Sequence, residues 1–199
     1  TRHSMTYLDV LSVNAIFPHR LAEAARARNQ RVIQISTDAV FGPAAGTVTE
    51  ADPISPCDLY GVSKAGGELH DDHCLTIRCS LVGPPAPGRN KGLWGWLIQQ
   101  KPGNAVPGYV NQLWSGCTTR QVAEICQCLL DDAAFSAIRA KGAVHHYAPN
   151  RSISKYDLLR MIAQQVRPDL RIEAAQSPTM MYRLLDSKHR SLDALMPHQ

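Results

Sequence analysis

The chain is poor in the features that mark nucleic-acid-binding and membrane proteins. Its 21 basic residues exceed its 17 acidic residues by only four, and they are spread along all 199 positions. A basic patch for nucleic acid is therefore not expected. Apolar runs of membrane-spanning length are absent, and so is a recognisable signal peptide. These absences predict a cytoplasmic protein with neither a nucleic acid nor a membrane as partner.

The cysteine pattern predicts neither a disulfide framework nor a metal site. The six cysteines include no CxxC pair, which suits a reduced compartment. Cys126 and Cys128 lie two apart on a predicted helix and point to different faces, so they cannot readily bind one ion. His145 and His146 lie on a predicted strand, where we expect one side chain buried and the other exposed.

Helices and strands alternate in the first part of the chain. The spacing of apolar residues predicts a long helix over 7–28, kinked at Pro18, and a strand over 31–36. A polar, broken loop follows, and then a helix from about Leu59 that carries Glu68 and Leu69. A second buried strand covers 75–83. This alternation predicts an α/β fold with a partial Rossmann-like, doubly wound parallel sheet.

After Pro84 the regular alternation of helix and strand gives way to longer loops and shorter elements. We predict an aromatic-rich helix over 93–100, a loop over 101–119 with two short strands, and helices over 120–132 and 154–166. Strands are expected over 142–148 and 171–175. The amphipathic tail after Met180 is expected to pack on the smaller domain. The predicted division is residues 1–83, the C-terminal part of a dinucleotide-binding domain, and residues 84–199, mainly a substrate-binding domain with some returning Rossmann elements.

Polar residues at a strand end and a tyrosine–lysine pair point to proton transfer. Thr37 comes at the carboxyl end of the first strand, where open α/β sheets bind ligands. Tyr60 and Lys64 are four apart and share one helix face. A nearby ammonium lowers the pKa of a phenol, so such a pair can give a proton to a carbonyl oxygen while a hydride reaches its carbon. The spacing is common by chance, and alone it favours a solvated helix face.

Three motifs together carry a family resemblance. The segments "ISTDAVFG", "YGVSKAGGE" and "LTIRCSLVG" resemble the extended short-chain dehydrogenase/reductases, and within them the dTDP-4-dehydrorhamnose reductase branch. The resemblance is specific from about residue 13 to residue 83 and looser to about residue 160. It implies a reductase that uses NADP or NAD and acts on the keto group of a nucleotide-linked 4-keto-6-deoxy sugar, as in dTDP-rhamnose biosynthesis.

The resemblance also assigns roles to residues of this chain. It implies that Tyr60 is the catalytic acid, that Lys64 lowers the pKa of Tyr60 and binds the nicotinamide ribose, and that Thr37 orients the substrate carbonyl. The residues implied in cofactor binding are Ser36, Tyr60, Lys64 and Cys79. The residues implied in substrate binding are Asp38, Ser80, Leu81 and Trp114, and Trp114 can equally be a core residue.

The chain also departs from the family pattern. The GxxGxxG turn that holds the pyrophosphate at a helix N-terminus is absent, so the chain resembles the C-terminal part of a reductase of roughly 300 residues. We therefore expect these 199 residues alone to bind dinucleotide weakly or not at all. Leu81 stands where the rhamnose-forming enzymes usually have an aromatic residue, so the identity of the sugar substrate is not determined.

Two alternatives to a reductase remain. One is a non-catalytic regulatory subunit that binds a larger enzyme, and the other is a nucleotide-sugar epimerase or dehydratase. If the protein is a reductase, a homodimer is one of the assemblies that the sequence leaves open.

Overall fold

The computed structural model describes residues 6–86, 88 and 92–195. The helices are α1 (Tyr7–Leu11), α2 (Phe17–Arg26), α3 (Leu59–Ala65), α4 (Gly92–Ile98), α5 (Thr119–Cys128), α6 (Asp132–Arg139) and α7 (Lys155–Val166). The strands are β1 (Val32–Thr37), β2 (Gly46–Val48), β3 (Cys74–Cys79), β4 (Leu81–Val82), β5 (Ala105–Tyr109), β6 (Leu113–Trp114), β7 (Cys117–Thr118), β8 (Val144–His146), β9 (Ile153–Ser154), β10 (Arg171–Ala175) and β11 (Arg183–Leu185).

The predicted N-terminal helix forms, but its middle turn is π-helical. The turn Ser12–Ile16 joins α1 to α2 just before Pro18. Proline has no backbone N–H, so it cannot donate to the carbonyl four residues earlier, that of Asn14. The irregularity expected at Pro18 therefore occurs within the turn that precedes it.

A parallel sheet forms the centre of the larger lobe. Its strand order is β1-β3-β8, and both pairings are parallel. The register places Thr37 beside Cys79 and Arg78 beside His146. The carboxyl ends of the three strands therefore meet at one edge of the sheet, as the α/β prediction requires.

Helices cover both faces of this sheet, which makes it doubly wound. Along β3, Leu75, Ile77 and Cys79 join the core formed with α5 and α6. Cys74, on the other face, packs with Ala22 and Ala25 of α2. This alternation explains why every residue of β3 is buried.

A second, smaller core lies beside the sheet. It is formed by α4, α7 and the parallel pair β5 and β10, with Leu97, Val106, Leu159, Ile162 and Leu170 at its centre. The predicted strand over 171–175 is confirmed as β10. In the described part of the chain, no helix is both long and apolar enough to cross a bilayer.

Two local predictions near the sheet were wrong. His145 and His146 do face opposite sides of the sheet, but both are buried, because helices or loops cover each side. Helix α3 ends at Ala65, before Glu68, where Gly66 begins a glycine pair that stops the helix.

The C-terminal tail also packs differently from the prediction. Its first part contacts the predicted region, because Met181 pairs with Gln112, but β11 then pairs with β2 and Leu192 enters the core formed with α5 and α6 of the larger lobe. The predicted tail extends to residue 197, and its last two residues lie outside the described residues.

Candidate active site

Thr37 ends β1 and begins a 3₁₀ turn, Asp38–Val40. Its side-chain oxygen accepts the backbone N–H of Ala39 at 3.2 Å, and its hydroxyl donates to Asp38 Oδ1 at 3.1 Å. Thr37 is buried at the sheet edge. The hydroxyl is therefore held in one orientation by its own turn.

Helix α3 approaches this turn very closely. Asp58 caps the helix by accepting the Gly61 N–H at 2.7 Å. A Cβ at Gly61 would lie 2.3 Å from the Ala39 carbonyl oxygen, so only glycine permits this approach. The contact sets the start of α3, including Tyr60, against the turn that follows Thr37.

Lys64 binds the end of β1 directly. Its Nζ donates to the carbonyl oxygen of Ile35 at 2.7 Å. Burial lowers the pKa of the Lys64 ammonium, and the nearby Cys79 and Glu68 side chains oppose that shift. Tyr60, one turn earlier, is 50% exposed, and its hydroxyl has no hydrogen-bond partner among the described residues. The phenol is thus accessible to a substrate, whereas the lysine is anchored.

The π-helical turn is hydrogen-bonded to α3. Asn14 Nδ2 donates to Ser63 Oγ at 3.0 Å, and Ser63 Oγ donates to the Tyr60 carbonyl oxygen at 2.9 Å. Ser63 is completely buried. This chain of bonds links the N-terminal helix to the backbone of Tyr60.

A buried polar network lies beneath the sheet edge. Arg78 binds Glu68 through two hydrogen bonds, Nε to Oε1 at 2.8 Å and Nη2 to Oε2 at 2.7 Å, and the two side chains are only 7% and 3% exposed. Ser36 donates to Glu68 Oε1 at 2.7 Å. Such an ion pair replaces hydration with fixed partners. It therefore holds the end of β1 against β3.

His146 extends this network, and its contacts favour the neutral imidazole. Its Nδ1 donates to the Asp186 carbonyl oxygen at 2.8 Å, and its Nε2 faces Arg78 Nη1, a donor, at 3.4 Å. Burial lowers the pKa of His146; Glu50 and the Asp186 carbonyl oppose this shift, and Arg78 reinforces it. A proton on Nε2 would lie against the guanidinium.

The remaining candidates fall into two groups. Cys79 is buried, with its thiol directed at the Ser36 carbonyl oxygen. Trp114 is half-buried, and its Nε1 donates to Ser80 Oγ at 3.1 Å, while Leu81 is exposed. The structure thus brings Ser80 and Trp114 together. It places Ser36 and Cys79 below the surface.

Asp38 contacts Arg183, a residue of the C-terminal strand β11. Its Oδ2 lies 3.3 Å from Arg183 Nε. Arg183, Glu68 and Arg78 were not among the predicted site residues, because their partners are distant in sequence. The only local signal was an acidic residue shortly after the lysine of "YGVSK".

A sizeable cleft lies elsewhere. It measures about 640 Å³, and its wall includes Trp114, Ile153 and Leu158. Thr37, Tyr60 and Lys64 do not line it. The candidate site lies instead at the end of β1, where Lys64 binds the Ile35 carbonyl oxygen and the start of α3 meets the turn after Thr37. Among the described residues, no group of three or more His, Cys, Asp or Glu side chains could hold a metal ion.

Comparison with known proteins gives the family of this chain. The family model described as the RmlD substrate binding domain matches residues 8–195. The chain belongs to this family. Within the RmlD substrate-binding domain family, it is 47% identical over 58 residues to a dTDP-4-dehydrorhamnose reductase of Aggregatibacter actinomycetemcomitans, a match that covers 29% of this chain and 20% of that protein.

Solved structures share the fold of this RmlD-type chain. A dTDP-4-dehydrorhamnose reductase from Clostridium acetobutylicum is 22% identical with a TM-score of 0.74, over 90% of this chain and 65% of the other. The enzyme from Bacillus anthracis, solved in complex with NADP, is 18% identical with a TM-score of 0.70, over 92% and 66%. The chain therefore spans about two thirds of the length of these structures.

Proposed function

We propose that this protein reduces the keto group of a nucleotide-linked 4-keto-6-deoxy sugar with NADPH or NADH. The observation that carries the proposal is that the side chains of Thr37 and Lys64 are both positioned by the carboxyl end of β1. Thr37 ends β1, and Lys64 donates to Ile35 two residues earlier at 2.7 Å. Tyr60 lies one turn from Lys64 on the same helix face. Membership of the RmlD substrate-binding domain family supports this reading.

Each residue has a distinct task in this reaction. When bound, the reduced nicotinamide would supply a hydride to the carbonyl carbon of the sugar. Tyr60 gives its phenolic proton to the carbonyl oxygen as the C–O double bond becomes a single bond. The Lys64 ammonium stabilises the phenolate that remains, and water returns the proton to it. The hydroxyl of Thr37 holds the carbonyl oxygen in place.

The residues present fit the nicotinamide half of the cofactor. Among the residues that the structure describes, Lys64 Nζ has one acceptor, the Ile35 carbonyl oxygen, and an ammonium carries three N–H groups. Two donors are therefore left for ribose hydroxyls. The side chains of Ser36 and Cys79 are buried. We therefore propose that they support the cofactor site indirectly, by fixing the ends of β1 and β3. The sequence has no glycine-rich pyrophosphate turn, and we propose that tight binding needs more than these 199 residues.

The substrate side is formed by residues of both lobes. Asp38 lies beside Thr37, and Ser80, the residue after β3, accepts a hydrogen bond from Trp114 of β6. Leu81 is exposed next to them and offers an apolar contact. We assign these four residues to the nucleotide-sugar substrate, with residues beyond 84 supplying most of its outer wall.

The test is turnover by the full-length gene product. The protein is mixed with a dTDP-4-keto-6-deoxy sugar and NADPH or NADH, and cofactor oxidation is followed while mass spectrometry identifies the reduced sugar nucleotide. The proposal predicts oxidation that depends on the sugar. No turnover with either cofactor, together with co-purification of a larger enzyme, would favour the regulatory subunit instead.

A further inference from the structure

Arg183 connects the C-terminal strand to the reacting end of β1. It begins β11, which pairs in parallel with β2, so its backbone is fixed on the larger lobe. Its Nε lies 3.3 Å from Asp38 Oδ2, and its Nη1 donates to the Phe41 carbonyl oxygen at 3.4 Å. The side chains of Arg183 and Asp38 are only 17% and 16% exposed. The pair is therefore largely removed from solvent and is stronger than a surface ion pair.

Asp38 passes this constraint to Thr37. One carboxylate oxygen faces Arg183, and the other, Oδ1, accepts the Thr37 hydroxyl at 3.1 Å. The Thr37 oxygen also accepts the Ala39 N–H. The orientation of the hydroxyl thus depends on Asp38, whose own orientation depends on Arg183.

A second cation stands near the pair without binding Asp38 directly. Lys155 Nζ donates to Gln112 Oε1 at 2.7 Å. Burial lowers the pKa of Lys155, the charge of Arg183 lowers it further, and Asp38 opposes the shift. Lys155 is already bound to Gln112, so Arg183 alone contacts the carboxylate among the described cations.

We propose that Arg183 is a positioning residue that sets the hydroxyl of Thr37 through Asp38. The inference rests on the proposed function for its catalytic consequence. Drawing the Asp38 carboxylate toward Arg183 weakens its hold on the Thr37 proton, which leaves the hydroxyl available to a carbonyl oxygen. Without Arg183, the Asp38 carboxylate is a stronger acceptor that keeps the Thr37 proton, so the carbonyl loses one of its two aligned donors.

The kinetic test compares three variants of the full-length protein. Arg183→Met keeps an unbranched apolar side chain but removes the guanidinium and its charge, Arg183→Lys restores the charge, and Arg171→Met is the control on the exposed strand β10. We expect Arg183→Met to lower kcat about 10- to 100-fold with KM changed less than about threefold, because misplacement of a reacting group costs turnover. Arg183→Lys should recover part of the loss, and Arg171→Met should match the wild type.

A double-mutant cycle separates positioning from general damage. In a Thr37→Val background, Arg183→Met should cause little further loss of kcat, because the residue through which it acts is gone. An equal loss in both backgrounds would overturn the inference.

A second readout does not depend on turnover. The methyl NMR signal of Thr37 reports its side-chain rotamer, and it should shift in both Arg183→Met and Asp38→Asn but not in Arg171→Met. An unchanged Thr37 signal in Arg183→Met overturns the inference. If the wild type shows no turnover but the Thr37 signal shifts in Arg183→Met, the proposed function is refuted and the link from Arg183 to Thr37 is supported.

Discussion

The ammonium nitrogen of Lys64 lies 2.7 Å from the carbonyl oxygen of Ile35, two residues before Thr37. This bond ties the helix that carries Tyr60 to the strand that carries Thr37. It also fixes the ammonium in a half-buried position, where its charge acts more strongly on neighbouring groups than it would in water. The relative placement of the three candidate catalytic residues follows from it.

Replacement of Lys64 should therefore disable catalysis. Lys64→Met removes both the anchor and the charge that stabilises a phenolate on Tyr60, and we expect turnover to fall about 100-fold or more. Steady-state rates of NADPH oxidation measure this effect, with the exposed Lys101→Met as the matched control. Retention of the wild-type rate in Lys64→Met would remove lysine from the mechanism.

The buried Glu68–Arg78 pair should govern stability. Glu68→Gln keeps the shape but leaves the Arg78 charge uncompensated, which costs about 3–5 kcal/mol for a buried pair. Urea unfolding of the variant should show this as a lower midpoint. Arg120→Met, which removes a highly exposed arginine from its pair with Glu124, should unfold close to the wild-type midpoint. Equal midpoints for the two variants would contradict the structural role of the buried pair.

Two glycines of one segment should respond differently to the same change. At Gly61 a Cβ would lie 2.3 Å from a backbone oxygen, whereas at Gly66 the nearest atom outside the helix backbone is at 3.4 Å, an ordinary contact. Gly61→Ala should destabilise the protein by about 1–3 kcal/mol, because the backbone must shift. Gly66→Ala should be close to neutral. Chemical denaturation of both variants checks the prediction, and it fails if Gly61→Ala is as stable as Gly66→Ala.

Stability should fall in mild acid. Burial lowers the pKa of both His145 and His146 in the folded state, while unfolded histidine titrates near pH 6.5, roughly. Below that pH the unfolded chain binds more protons, so each histidine removes up to about 1.4 kcal/mol of stability per pH unit until its folded pKa is reached.

Urea midpoints at neutral and mildly acidic pH test this dependence. The midpoint should be lower in acid for the wild type and for the exposed-site variant His70→Gln. The difference should shrink in His146→Gln. A wild-type midpoint that does not change with pH would show that neither buried histidine is linked to folding.

Local patterns were sufficient to predict much of the fold. The β-branched run before Ser36 and the alternation of helix and strand predict the parallel pair of β1 and β3, which the structure confirms. The motif "YGVSK" predicts a helix with Tyr60 and Lys64 on one face. Both predictions depend on spacings within a few residues, where periodicity carries the information.

Other features depend on contacts between distant residues and could not be predicted. Arg183 meets Asp38 across 145 positions of sequence, and Arg78 meets His146 across 68. The burial of both His145 and His146 depends on covering both faces of the sheet, which a single strand does not encode. The position of the tail likewise depends on the pairing of β11 with β2.

The most direct test of the proposed catalytic arrangement is the Tyr60→Phe variant in the keto-sugar assay. Loss of one hydroxyl leaves the ring and the helix intact, so circular dichroism and the urea midpoint should match the wild type. Reduction of the dTDP-4-keto-6-deoxy sugar should fall about 100-fold or more, while Tyr7→Phe, an exposed control, keeps full activity. Wild-type turnover by Tyr60→Phe would contradict the assignment of Tyr60 as the acid.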